Sequence, residues 1–335
     1  MKRVVIDALL VFVLCSTGVA GEKNHNKGHK SKSRTFRLDY GATLNGLPEG
    51  VRVRVWLPIP KSNEHQRIKV LKRALPATAR TAIEPIYGNE ILYFEMKGPS
   101  SGDIAFKTSY LISRSEVCGL SIHGGKTKLT DEQRKLFLSA NKYVPLDGKP
   151  LSLLEDIKLS SDLLATARIL YDRVDDHVRY DKSKSGFGNG DVLWVCDSRF
   201  GNCTDFHSLF ISWARAKGLP ARFEIGFPLP PERGEGTIGG YHCWALFHSN
   251  EIGWVPVDIS EADKNPQMKE YYFGNLTENR VAFTIGRDIQ LVPKQDSVPL
   301  NYFVYPYVEV DGTPWPKENV KCSFAYADVN GTSVP

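Results

Sequence analysis

Six cysteines occur in the 335 residues, and one of them, Cys203, stands where a thiol can become a nucleophile. It opens a run in which Phe206, Leu209, Phe210, Trp213 and Ala214 recur at the spacing of one helix face. Asn202, just before it, is a good N-cap residue, and Gly218 followed by Pro220 is a helix ending. Cys203 is therefore predicted in the first turn of a helix. Backbone N–H groups and the helix dipole favour an anion there, so its thiol pKa should fall. The thiolate is the attacking form in covalent catalysis. The competing reading is a structural cysteine, because buried cysteine is common.

Such a thiol needs a base, and the base needs an orienting group. After the helix, Ala221 to Phe227 reads as a strand, and the Pro- and Gly-rich stretch Pro228 to Gly240 as a loop. Tyr241-His242-Cys243-Trp244-Ala245-Leu246-Phe247 and Gly253-Trp254-Val255-Pro256-Val257-Asp258 then read as a hairpin turning between Ser249 and Gly253. A hairpin symmetric about Asn250 sets His242 directly opposite Asp258. Directly paired residues share a face, with Cβ atoms ~4.5–5.5 Å apart, close enough for a carboxylate to hold one imidazole nitrogen. A one-residue slip would send the two side chains to opposite faces. Cys203, His242 and Asp258 are thus the candidate nucleophile, base and orienting acid.

Several elements must support this constellation. From Thr35 to Glu116 the pattern is all-β: Val51 to Leu57 alternates with a period of two, and Glu90 to Met96 and Ile104 to Ile112 are further apolar runs between turn clusters. A small antiparallel sandwich is expected, with Pro58 and Pro60 ending the strand before them. Thr130-Asp131-Glu132-Gln133 is a capping-box start for a helix through about Leu138. From Ser161 the period becomes helical, with Leu164, Ala167, Ile169, Leu170, Val174 and Val178 forming a stripe that ends near Tyr180. A Gly/Ser loop, Lys182 to Gly190, leads toward the candidate nucleophile.

With these residues in order, Gly201-Asn202-Cys203-Thr204-Asp205-Phe206-His207-Ser208-Leu209-Phe210, Trp213-Ala214-Arg215-Ala216-Lys217-Gly218-Leu219-Pro220-Ala221-Arg222, Tyr241-His242-Cys243-Trp244-Ala245 and Gly253-Trp254-Val255-Pro256-Val257-Asp258, the stretch from about 160 to 262 resembles the transglutaminase-like cysteine-peptidase superfamily. The all-β segment before it resembles, less specifically, the β-sandwich that often precedes such cores in microbial members. The resemblance implies an α+β, papain-like core, with the Cys203 helix packed on an antiparallel sheet that carries His242 and Asp258. It implies that His242 takes the proton of Cys203, the thiolate attacks a carboxamide or peptide carbonyl to form a thioester, and His242 protonates the leaving amine. Water resolves the thioester in a protease or amidase, and a second amine resolves it in a cross-linking enzyme. The backbone N–H of Cys203 is a natural oxyanion donor, with Asn202 or Trp194 as candidates for a second. Cross-linking transglutaminases carry extra β-domains and calcium sites, and neither is visible here. A catalytically silent scaffold on the same fold is the reading from a different class.

The expected organisation is a signal peptide over 1–20, a flexible basic arm over 21–34, a β-sandwich domain over 35–118, a helical linker over 119–160 and the catalytic domain over 161–335. Met1-Lys2-Arg3, the mostly apolar Val4 to Leu14 and the small Gly18-Val19-Ala20 have the layout of a secretory signal, which predicts a secreted or periplasmic protein. Loss of that segment leaves Cys118, Cys196, Cys203, Cys243 and Cys322, an odd number consistent with one reactive thiol plus up to two disulfides, or with free buried cysteines.

Net charge is +5, with an excess of Lys and Arg in the arm from Lys23 to Arg37. No basic patch interleaved with aromatics follows, so nucleic acid is a poor partner. No interior apolar stretch is long enough to cross a bilayer, so stable membrane insertion is not expected. The soft ligands Cys196, Cys203, His207, His242 and Cys243 lack zinc-site spacing, so no metal or other cofactor is expected. The expected partner is a protein or peptide substrate. The aromatics from Tyr302 to Tyr307 read as sheet packing, with a substrate groove as the alternative.

Overall fold

The computed structural model describes residues 31–120 and 128–329. The expected signal peptide, and the arm up to residue 30, lie outside the described residues. The N-terminal strands are β1 (Ser33–Leu44), β2 (Arg52–Ile59), β3 (Gln66–Ala74), β4 (Arg80–Ile83), β5 (Glu90–Lys97) and β6 (Ile104–Ser115). In β1 the period of two is explicit: Phe36, Leu38, Tyr40, Ala42 and Leu44 are buried, while most residues between them meet solvent. They share one apolar cluster with Val53, Val55 and Leu57 of β2, Phe94 of β5 and Phe106 of β6. Burying each such side chain contributes roughly 1.5–3 kcal/mol. Pro58 does not end its strand: it pairs with Ile91 in register, and the strand stops only before Pro60.

The expected capping box is present, as Thr130 caps α1 (Asp131–Leu138) reciprocally with Gln133. Asp162 caps α2 (Leu163–His177) by accepting from Ala165 N at 2.6 Å. The helix stops three residues short of Tyr180, because Val178 is extended and Arg179 and Tyr180 pair in parallel with Phe200 and Gly201. That small ladder carries Tyr180 to the doorstep of the next two helices, α3 (Val192–Ser198) and α4 (Cys203–Ala216). Helix α4 is buried on every side, from Cys203 through Arg215.

Its principal support is a four-stranded antiparallel sheet of β7 (Ala221–Pro228), β8 (His242–Ser249), β9 (Gly253–Val257) and β10 (Arg280–Ile285), in the order β9-β8-β7-β10. The segment before α3, expected to be a linker, is packed against the far end of α4. Trp213 Nε1 donates to Pro150 O at 2.7 Å, and Arg215 Nη1 donates to Ser139 O at 2.7 Å.

The last strands, β11 (Tyr307–Val310) and β12 (Val320–Asp328), leave this core. β12 pairs with β1 from Phe36↔Asp328 to Leu44↔Val320, and β11 pairs with β2 from Tyr307↔Trp56 to Val310↔Val53. Each N-terminal sheet is therefore five-stranded: the short strand Glu235–Thr237, then β12-β1-β6-β3, and the short strand Thr313–Pro314, then β11-β2-β5-β4. The sequence assigns residues 307–328 to the catalytic domain, whereas the ladders return them to the sandwich. Long-range pairing of this kind leaves no local trace in the chain.

Candidate active site

The mouth of α4 is organised by its caps. Asn202 Oδ1 accepts from Thr204 N at 2.8 Å, and Asp205 Oδ2 accepts from Asn202 N at 2.9 Å, a reciprocal capping box. Cys203 is the first helical residue, so its N–H belongs to the set with no partner inside the helix. The residue is 3% exposed.

Across from it, β8 delivers His242. The hairpin register runs from Ala245↔Val257 to Ser249↔Gly253, which centres the turn on Glu251 rather than Asn250. Asn250, Glu251 and Ile252 form the turn, and Gly253, which closes it opposite Ser249, takes φ +93°. Continuing this register sets Trp244, not His242, across from Asp258. The displacement is two residues, so His242 and Asp258 keep the same face and meet diagonally. His242 Nε2 lies 2.7 Å from Asp258 Oδ2, and the same ring interacts with the Cys203 thiol. Asp258 sits just past β9 as the N-cap of α5 (Ile259–Lys264), where its Oδ1 accepts from Glu261 N at 3.2 Å.

The charges follow from this geometry. Burial works against ionising Cys203, but hydrogen bonds from Cys243 and His242 and the charge on His242 overcome it and hold the thiol well below its usual pKa. Burial likewise opposes a charged His242, yet the Asp258 carboxylate beside it and Cys203 raise the imidazole to about 10. Burial also disfavours a charged Asp258. His242 and Arg280, whose Nη1 donates at 2.9 Å, nevertheless keep the carboxyl far below the normal carboxylate range. These directions favour a thiolate, an imidazolium and a carboxylate in sequence.

Several residues here were not singled out from the sequence. Arg280 reaches Asp258 from β10, and nothing local in the chain marks it. His207, considered only as a metal ligand, lies one turn into α4 and is fully buried. It accepts from Ile259 N through Nε2 at 3.1 Å, and burial takes its pKa down to about 4, so it is a neutral partner near the same carboxylate. Asp205 stands three residues after the Asn202 cap, the spacing of a capping box, and that spacing is the signal that could have marked it. The structure adds that its oxygens also accept from Gly188 N at 2.8 Å and Gly190 N at 2.9 Å. Tyr241 Oη accepts from Asn202 Nδ2 at 3.1 Å and meets Thr204 Oγ1 at 2.8 Å.

Of the two second-donor candidates, Asn202 adjoins Cys203, with its side-chain amide engaged at both ends by Thr204 N and Tyr241. Trp194 packs edge-to-face on Phe200 at 5.2 Å, with Gly186 against its indole ring. Cys243 rests its sulfur 3.7 Å from both Thr204 Oγ1 and His207 Nδ1. Cys196, Cys203, Cys243 and Cys322 all carry thiols rather than disulfides. Among the described residues no group of three or more His, Cys, Asp or Glu is arranged to hold a metal ion.

Residues 152–259 match the family model described as the Transglutaminase-like superfamily. This segment is a transglutaminase-like core. It includes α4, β7, β8 and β9, and ends one residue after Asp258. An uncharacterized protein of Haemophilus influenzae is 28% identical over 309 residues, covering 80% of this chain and 84% of that protein. A crystal structure from Cytophaga hutchinsonii, of a chain provisionally named a cysteine protease, superposes with a TM-score of 0.51 at 16% identity over 88% of this chain and 98% of the other. The periplasmic domain of TgpA from Pseudomonas aeruginosa gives a TM-score of 0.36 at 16% identity over 71% of this chain and 90% of that one. Residues 152–259 thus match a transglutaminase-like core, with β-sheets before it, in a fold shared with the Cytophaga chain.

Proposed function

We propose that the transglutaminase-like core is a cysteine-dependent hydrolase of peptide or carboxamide bonds, with Cys203 as nucleophile, His242 as acid and base and Asp258 as orienting acid. The observation that carries this reading is the 2.7 Å contact of His242 Nε2 with Asp258 Oδ2, beside a thiol at a capped helix start. The imidazolium supplies the proton for the leaving amine when the Cys203 sulfur attacks the carbonyl. The resulting thioester is released by water, which His242, now neutral, deprotonates. The Cys203 N–H, at the positive end of α4, faces developing charge on the carbonyl oxygen.

Binding alone would not require a buried cysteine and a buried His242–Asp258 pair at one helix mouth, since burying charge is costly unless it is paired. The leader-like N-terminus supports action in the periplasm or outside the cell, on a protein or peptide substrate. An amine in place of water would convert the same thioester into a cross-link. Incubation with a glutamine-containing peptide and a labelled primary amine separates these outcomes. Hydrolysis predicts ammonia or peptide release without label, and label in the peptide means transfer. No product of either kind, together with an unreactive Cys203, would overturn the enzymatic reading.

A further inference from the structure

Between α2 and α3, the loop 186–190 holds three glycines with positive φ: Gly186 at +101°, Gly188 at +95° and Gly190 at +57°. Glycine runs of this kind are conformationally free unless something outside the loop fixes them. Here two buried charges do so from opposite sides. Asp205 takes the N–H groups of Gly188 and Gly190, at 2.8 and 2.9 Å. Arg287 takes the carbonyls of Asn189 and Gly190, at 2.7 and 3.2 Å, and also bonds Ser208 Oγ.

The same Asp205 carboxylate accepts the N–H of Asn202, the residue whose peptide leads into Cys203. Gly188 lies against that residue too: a Cβ added there would stand 3.2 Å from Asn202 Nδ2 and 3.7 Å from Tyr241 Oη. One carboxylate therefore gathers three backbone amides, two from the loop and one from the residue before the attacking cysteine. Its charge opposes the chemistry, because an anion beside Cys203 disfavours the thiolate. An amide side chain would avoid that conflict but has a single acceptor oxygen, and its NH2 would face N–H donors. A charge that opposes the nucleophile and still sits in this position is explained by the three amides it holds.

Resting on the acyl-transfer reading above, we propose that Asp205 is a positioning residue: it clamps the Gly188–Gly190 loop to the mouth of α4 and so fixes the Asn202–Cys203 peptide, whose N–H receives the oxyanion. Charge and geometry then act in opposite directions, which makes the role separable from mere folding. Alkylation of Cys203 by iodoacetamide needs a thiolate but no oxyanion site, whereas acylation by p-nitrophenyl acetate needs both.

The test measures both reactions against pH in the full chain, with the modified Cys203 peptide identified by mass spectrometry and folding followed by melting. In Asp205→Asn the alkylation rate above about pH 6, where the wild-type carboxyl carries its charge, should be no lower than in wild type, while acylation drops by about 10-fold or more. In Gly188→Ala, which strains the loop but keeps the carboxylate, acylation should fall about 10-fold with alkylation changed less than about 2-fold. Gly188→Ala decides the matter if Asp205→Asn does not fold. Acylation by either folded variant at the wild-type rate overturns the clamp. So does a proportional loss of both reactions in both variants, which would mark a structural role only. A wild-type protein in which Cys203 is neither alkylated nor acylated overturns the acyl-transfer reading, and the clamp with it.

Discussion

The two ends of α4 are equally buried and hold their charges in different ways. At the C-terminal end, Arg215 is surrounded by neutral acceptors: Ala221 O at 2.9 Å, Ser139 O at 2.7 Å and Asn141 Oδ1 at 2.7 Å. Burial lowers its pKa to about 10, so the cation persists at neutral pH, held by hydrogen bonds to neutral oxygens. At the N-terminal end, Cys203, His242 and Asp258 lie in a chain of opposite charges, and their pKa values are pushed well away from the ordinary ones. A charge held by neutral, fixed dipoles ties elements together. A chain of exchangeable charges with displaced pKa values can move a proton.

The largest effect expected of any single change is at the thiol. Cys203→Ala should reduce activity to background, a loss of roughly 10^4-fold or more, with a melting temperature close to wild type. A large loss of stability instead would make Cys203 a packing residue like those farther along the helix. His242→Ala should cost about 10^3–10^4-fold in kcat/KM and return the Cys203 thiol toward its ordinary pKa. An unchanged alkylation profile in that variant would break the link between sulfur and ring.

Asp258→Asn should cost less, about 10^2-fold, because the ring loses its orientation and part of its charge stabilisation but remains in place. Its folded-state pKa is depressed, so the stability it contributes is present above the ordinary carboxylate range and is lost as pH falls toward the lowered value. The Asp258→Asn protein should therefore show a flatter dependence of stability on acid, measurable by denaturant unfolding between pH 3 and 7. Equal activity in this variant and wild type would remove Asp258 from the mechanism. Arg215→Met, at the other end, should lower stability by about 2–4 kcal/mol through three lost hydrogen bonds and stranded carbonyls. Activity per folded molecule should change less than about 2-fold; a selective loss of kcat there would erase the contrast between the two ends.

Much of the arrangement at the mouth of α4 could be read from the chain, because its determinants are local. The Asn202 cap, the apolar spacing after Cys203 and the Gly218 stop define α4 within one short stretch, and the helix runs from Cys203 to Ala216. The hairpin was legible as a hairpin. Its register was two residues off, since register depends on turn geometry that alternation alone does not specify. His242 and Asp258 meet despite that error only because an even displacement preserves the face.

Arg280 and the second role of Asp205 were out of reach for another reason. Arg280 comes from a strand 22 residues beyond Asp258, and the loop that Asp205 holds precedes it by 15 to 17 residues. Partners of this kind are chosen by tertiary packing. The return of β11 and β12 to the N-terminal sheets is the same limit at larger scale: Asp328 pairs with Phe36 across almost the whole described chain.

The ionic state of the buried sulfur can be observed directly. The alkylation rate of Cys203, followed by peptide mapping from pH 4 to 10 in wild type and His242→Ala, reports the thiolate fraction at that one position. A thiolate paired with imidazolium predicts a wild-type apparent pKa well below that of a free thiol and a clear upward shift when the ring is removed. A wild-type Cys203 that titrates like an ordinary thiol, with the same curve in both proteins, would contradict the account.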